Sequence, residues 1–142
     1  MRERLDMMHE STIQIRFRDT DGMGHVNNAV YATYLEHARF DWYRTHFGSK
    51  PLTDFSFILA RLEIDYRRPI TLASQPVVAI WVTDIGASAW TFEYRIYDAI
   101  DPGITYAEAK SVQVAFNYHA GKKETLDGEL RRALEQEREE QG

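Results

Sequence analysis

Eleven consecutive residues, Arg18-Asp19-Thr20-Asp21-Gly22-Met23-Gly24-His25-Val26-Asn27-Asn28, hold two carboxylates, two glycines, a histidine and two asparagines. They stand directly before a stretch with helical spacing, so two physical accounts apply. In the structural account, Asn27 or Asn28 caps the helix, the glycines make the turn, and Asp19 and Asp21 meet the positive end of the helix dipole. In the chemical account, amides left unpaired at the helix start form an oxyanion site. An ionised carboxylate beside them then attacks a carbonyl held there, or activates water against it. The two accounts are compatible, since a turn can be braced and still present an acid.

The elements around this segment must position it. Over residues 12–18 the apolar Ile13, Ile15 and Phe17 alternate with Gln14, Arg16 and Arg18, which predicts a first strand with one buried face. Asp19 is expected to point away from Asp21 and to matter less for chemistry. Tyr31, Tyr34, Leu35, Ala38 and Trp42 then recur at helical spacing. They predict a helix over 28–47, with Glu36, Arg39 and Arg44 on its open face and a stop at Gly48. Leu62, Ile64 and Tyr66 alternate up to Pro69 and predict a second strand. Residues 77–82 and 90–96 read as a hairpin, and Asp101-Pro102-Gly103 is a turn signal. In the last predicted strand Tyr106, Val112, Val114 and Phe116 share one face, while Ala107, Ala109, Ser111 and Ala115 share the other. Leu126, Leu130 and Leu134, four apart, predict a short C-terminal helix fraying into a charged tail.

One long helix after one strand and before four more predicts an α+β domain, a sheet wrapped around a helix with an edge or face left for a partner chain. At this point the Asp-x-x-Gly-His-Val-Asn-Asn turn, with Tyr31, Tyr34, Glu36 and Ala38-Arg39 behind it, resembles the signature of the 4-hydroxybenzoyl-CoA thioesterase-like hotdog family. The resemblance is strongest over residues 16–39, extends loosely over 12–117, and leaves the tail after Tyr118 outside. It implies a hotdog fold, a five-stranded antiparallel sheet around one long central helix. It also implies hydrolysis of an acyl or aroyl thioester of coenzyme A or acyl carrier protein, with coenzyme A as part of the substrate and no separate cofactor. Protomers of the family pair into a continuous sheet with active sites at the interface, so a homodimer or tetramer is expected. The family's catalytic aspartate falls on Asp21, as nucleophile or general base, and its carbonyl-polarising amide falls near Asn28. Relatives vary at the position of His25, which is either a helper in catalysis or a turn residue. Tyr31 is expected beside the acyl group. Arg61, Arg67 and Arg68 are candidates for the phosphates, because an acidic protein binding a polyanion must gather positive charge locally. The same fold also serves acyl-CoA binding without turnover and acyl-thioester hydration or dehydration.

Two other matches to the segment fail in context. Asp19-Thr20-Asp21-Gly22-Met23 is similar to the Asp-x-Asp-Gly-Thr loop of haloacid dehalogenase-type phosphatases. That loop needs a buried parallel strand and repeated βα units, and here Met23 stands for the threonine. Asp19, Asp21 and His25 could ligate a divalent ion, but His9, His37, His46 and His119 are scattered, so no metal site is expected.

Composition agrees with a single domain over residues 1–142, its core at about 12–117 and a charged C-terminal helix or tail at about 125–142. At 44% hydrophobic and 27% charged residues, the chain is of ordinary globular type. With no cysteine, thiol nucleophiles, disulfides and cysteine metal sites are excluded. A formal charge of -5 opposes binding to nucleic acid. Residues 1–10 are charged throughout and unlike a signal peptide, and no apolar run suits a membrane span, so a cytoplasmic location is expected.

Overall fold

The structure, a computed structural model, describes residues 9–48 and 57–141. The N-terminal reading made over residues 1–10 therefore lies almost wholly outside the described residues. Helix α1, Asn28–Phe47, occupies the span set by the spacing of its large residues. Asn27 caps it, its side-chain oxygen accepting from the Ala29 N–H at 2.9 Å. Gly48 ends it at φ 61°, a conformation that a side chain would strain, and returns its N–H to the Arg44 carbonyl at 2.9 Å. Tyr31, Tyr34, Leu35, Ala38 and Trp42 are all buried. A fully buried side chain such as Leu35 contributes about 1.5–3 kcal/mol relative to an exposed one.

Arg39 departs from expectation, since it is buried and not on an open face. Its Nη1 donates to the Tyr94 hydroxyl at 3.0 Å. Tyr94 in turn contacts the Ser111 hydroxyl, Ser111 donates to Gln113, and Gln113 Nε2 donates to the Trp90 carbonyl at 3.3 Å. A chain of oriented polar groups on the sheet thus receives the guanidinium that helical spacing turns inward.

Among the described residues six strands follow the order β1-β3-β4-β5-β2, with β6 attached to β5: β1 His9–Thr12, β2 Phe57–Tyr66, β3 Pro76–Ile85, β4 Ala89–Asp98, β5 Thr105–Asn117 and β6 Lys122–Lys123. Every pairing is antiparallel, so five principal strands and one long helix form the hotdog arrangement, with the two-residue β6 as an addition. The small-residue face of β5 is the buried one. Ala107, Ala109 and Ser111 make room there for the aromatic stripe of α1, while Val112, Val114 and Phe116 are only half-buried.

The first strand is displaced from its expected range. Its ladder spans His9–Thr12 and ends where Thr12 meets Val77, with one further bond from the Ile13 N–H to the Pro76 carbonyl at 3.0 Å. Beyond Pro76 no strand residue is left to pair with residues 14–18. Phe17, expected on the buried face, opens a short 3₁₀ turn, Phe17–Asp19, and is 82% exposed.

The C-terminal segment also differs from a frayed tail. Helix α2, Gly128–Gln141, follows Leu126, and Leu126, Leu130 and Leu134 are buried in the same core cluster as α1. Glu137 accepts from the Trp42 indole N–H at 2.6 Å, fastening α2 to α1. Four-residue spacing gives α2 one apolar stripe, and its charges cover the other faces. Among the described residues no helix is long and apolar enough to cross a membrane.

Candidate active site

The segment between β1 and α1 closes on itself as a small antiparallel turn. Thr20 bridges Val26, the Asp21 N–H donates to the His25 carbonyl at 2.7 Å, and the Gly24 N–H donates to the Asp21 carbonyl at 3.1 Å. Gly24 adopts φ 78°, where a Cβ would be strained. Asp21 Oδ1 accepts from the Met23 N–H at 2.8 Å and the His25 N–H at 3.2 Å. Its other oxygen has no partner among the described residues. The structural and chemical accounts of the turn therefore share one side chain: one oxygen of the carboxylate braces the loop, and the other is left unengaged among the described residues.

Asp19 lies elsewhere. It is buried at 2% exposure, accepts from the Arg16 backbone N–H at 3.0 Å and from the Tyr34 hydroxyl at 2.9 Å, and pairs with the Arg16 guanidinium at 3.3 Å. Its carbonyl accepts from the Asn27 N–H at 2.8 Å. Burial alone would raise its carboxyl, but the Arg16 and Tyr34 donors outweigh that and hold it below the usual 3.8. Tyr34, donating to this anion from a desolvated position, is pushed well above the usual tyrosine range. Asp19 is thus the structural acid that ties the start of α1 to the chain entering it.

The turn docks on the segment after β2. The Val26 N–H donates to the Ile70 carbonyl at 2.7 Å, and His25 bridges Thr71. The Tyr31 hydroxyl donates to the Arg68 carbonyl and accepts from the Ile70 N–H, both at 3.3 Å. A cleft of about 260 Å³ lies between them, and its walls include Asp21, His25, Asn28, Tyr31, Arg67 and Arg68. Six of the seven residues named from the sequence for catalysis or binding are brought together there. Arg61 is not among its walls and pairs with Glu63 on the surface of β2.

Within the cleft the groups differ in freedom. As the first residue of α1, Asn28 has an N–H with no acceptor inside the helix, and the Asn27 cap takes the Ala29 N–H instead. The His25 imidazole has no hydrogen-bond partner among the described residues. Arg67 Nε lies 3.9 Å from Glu108 Oε1, whereas Arg68 has no carboxylate partner among the described residues. Among those residues no group of three or more His, Cys, Asp or Glu side chains is placed to hold a metal ion.

Sequence reasoning missed Tyr66. It closes the cleft from the end of β2, donating its hydroxyl to the Asn28 carbonyl at 3.0 Å and setting its ring edge-on to Tyr31 at 4.9 Å. Alternation placed it with Leu62 and Ile64, but no local pattern reveals a bond spanning 38 residues.

The profile of the thioesterase-like superfamily matches residues 15–134, most of the chain. The chain belongs to that superfamily. The match runs beyond Tyr118 to residue 134, so the first half of α2, set outside the resemblance on sequence grounds, is part of the family's extent. The chain is 28% identical over 130 residues to the long-chain acyl-CoA thioesterase FadM of Escherichia coli (strain K12), covering 89% of this chain and 97% of that protein. Among solved members, it superposes with TM-score 0.79 on a thioesterase complexed with coenzyme A and Zn from Thermus thermophilus, at 28% identity over 92% of this chain and 93% of that one. A 1,4-dihydroxy-2-naphthoyl-CoA thioesterase from Synechocystis superposes with TM-score 0.81 at 21% identity, covering 89% and 95%, a likeness of fold alone.

Proposed function

We propose that this member of the superfamily is an acyl-CoA thioesterase, with Asp21 as the reacting carboxylate and the Asn28 N–H as the carbonyl-polarising donor. The observation that carries this reading is the shared cleft: a carboxylate with one unengaged oxygen, an unpaired helix-start amide, and two arginines within about 260 Å³. Anionic phosphates suit the arginines, and a thioester carbonyl suits the amide, which supplies a hydrogen bond and the positive end of the helix dipole.

Two routes use these groups. In one, the free oxygen of Asp21 attacks the carbonyl carbon, the Asn28 N–H stabilises the oxyanion, and the C–S bond breaks to release thiolate and leave a mixed anhydride. Water then hydrolyses the anhydride and returns the carboxylate. In the other, Asp21 takes a proton from water as that water attacks, and the same C–S cleavage yields acid and thiol directly. His25, with an unengaged ring at the cleft wall, is a candidate to orient the water or carry the proton to the leaving sulfur. Tyr31 presents an aromatic wall to the acyl group. The acting unit is a homodimer or a tetramer assembled from it, and the thiol component is coenzyme A or acyl carrier protein.

The test is thiol release across short, long and aromatic acyl-CoAs, followed by the same assay on Asp21→Asn. Asparagine keeps the Oδ1 acceptor for Met23 and His25 while removing the charge. Turnover should fall on the order of 10² to 10⁴, with substrate binding retained. Full thiol release by Asp21→Asn would refute the assignment. Consumption of an enoyl-CoA with its thioester left intact would instead mark a hydratase.

A further inference from the structure

Tyr66 joins two parts of the molecule that the chemistry needs in register. It is the last residue of β2, the strand at one margin of the sheet, and its hydroxyl donates to the carbonyl of the first residue of α1. That residue, Asn28, carries the N–H assigned above to the thioester carbonyl. A carbonyl oxygen has two lone pairs, so Tyr66 can hold it without displacing its helical bond. The Tyr66 ring packs edge-on against Tyr31 with an interplanar angle of 75°, and Tyr31 fastens Arg68 and Ile70. One aromatic pair therefore spans the helix start, the end of β2 and the arginine-bearing loop.

Helix ends fray because their first turn lacks partners on one side. Here the Asn27 cap and the Tyr66 hydroxyl hold the two sides of one peptide unit, the Ala29 N–H and the Asn28 carbonyl, while the Asn28 N–H lies in the preceding unit, whose Asn27 carbonyl accepts from the Val30 N–H at 2.9 Å. From this we infer that Tyr66 is a positioning residue: by holding the Asn28 carbonyl it fixes the Asn28 backbone from one side of its Cα, so that the N–H on the other side stays aimed at the oxyanion position. The inference rests on the thioesterase reading for its kinetic consequence, but the ordering of Asn28 stands apart from it. The turn remains docked by other bonds, notably Val26 to Ile70 and Tyr31 to Arg68, so loss of the Tyr66 hydroxyl loosens the helix start without releasing the fold. Tyr66 is also 47% exposed, so water can replace its hydrogen bond at little cost in stability.

The test compares Tyr66→Phe with Tyr118→Phe. Tyr118 also donates its hydroxyl to a distant backbone carbonyl, that of Phe57 at 2.8 Å, and lies outside the cleft. Three quantities are measured on each variant: kcat and KM for thiol release, Tm, and the backbone ¹⁵N order parameter at Asn28. For Tyr66→Phe, kcat should fall on the order of 10- to 100-fold with KM and Tm close to wild type, and the Asn28 order parameter should drop. Tyr118→Phe should change neither kcat nor that order parameter. The inference is overturned if Tyr66→Phe matches Tyr118→Phe in kcat and in order at Asn28, or if its kcat falls only in step with Tm. If the wild-type protein releases no thiol from any acyl-CoA, the thioesterase reading fails, and the order parameter alone still decides whether Tyr66 fixes the helix start.

Discussion

The Tyr34 hydroxyl donates to Asp19 Oδ2 at 2.9 Å, joining the second turn of α1 to the chain that enters the Asp21 turn. This bond and the Arg16 contacts explain why a second aspartate stands two residues before Asp21. Asp19→Asn should keep turnover per folded molecule close to wild type and lower stability near pH 7 by about 1–3 kcal/mol, the usual cost of weakening a buried charge-assisted bond. The sign of the pH dependence follows from its depressed carboxyl. The stabilisation is present above the ordinary value of 3.8 and is lost as pH falls through the lower folded-state value. Thermal melts of both proteins from about pH 7 to about pH 2 should therefore converge at the acid end. A constant gap would mean that the charge is not its source.

Asp19 also marks where the sequence stops being readable. Asp19 does lie outside the cleft, but strand alternation is no ground for it: residues two apart in a strand share a face, and the ladder already ends at Thr12 because β3 begins at Pro76. The bounds of α1 were legible because a stripe of large residues, an asparagine cap and a terminal glycine all act locally. The docking of α2 was not, since the Trp42–Glu137 bond joins residues 95 apart. Arg39 misled for a related reason. Its burial depends on the Tyr94 hydroxyl across the core, and a charged residue on a helix otherwise reads as solvent-facing.

His25 separates into a backbone and a side chain with different work. Its N–H and carbonyl brace the turn through Asp21, and any residue type but proline supplies these groups. The imidazole faces the cleft without a hydrogen-bond partner among the described residues. His25→Ala should therefore leave Tm nearly unchanged and lower kcat by about 10²- to 10⁴-fold, the range for loss of a positioned proton-transfer group. A fall in Tm with unchanged turnover per folded molecule would assign His25 to the turn alone.

Arg67 and Arg68 are adjacent but not equivalent. Both backbone amides donate to the Tyr106 carbonyl, at 2.8 and 3.1 Å, which fixes the loop that carries them. Arg67 has Glu108 beside it, so Arg68 is the cation more available to a phosphate. Arg68→Ala should raise KM for acyl-CoA by about tenfold with little change in kcat, and Arg67→Ala should do less. Repeating the assay with an acyl-pantetheine thioester, which lacks the nucleotide phosphates, should erase the Arg68→Ala defect. A defect that persists would place Arg68 against the acyl or thiol portion instead.

The last prediction concerns the open margin of the sheet. Strand β2 pairs with β5 on one side and has no strand on the other among the described residues, and it runs for ten residues. An edge of that length offers unpaired N–H and C=O groups to another chain. Leu59 is 44% exposed, and Leu62 and Ile64 are only half-buried, so apolar surface accompanies the open edge. A second copy related by a two-fold axis would pair β2 with itself in antiparallel fashion, and one residue near the axis would then face its own counterpart. Directly opposed Cβ atoms at about 4.5–5.5 Å come close to the spacing a disulfide needs. The chain has no cysteine, so single substitutions Arg61→Cys, Leu62→Cys, Glu63→Cys, Ile64→Cys and Asp65→Cys each report one position without interference. Mild oxidation should crosslink one of them, or two on the same face, into a covalent dimer that keeps thiol release. Sedimentation of the unmodified protein at micromolar concentration should give at least a dimer. A stable, active monomer, with no crosslink at any β2 position, would show that this edge is not where copies meet.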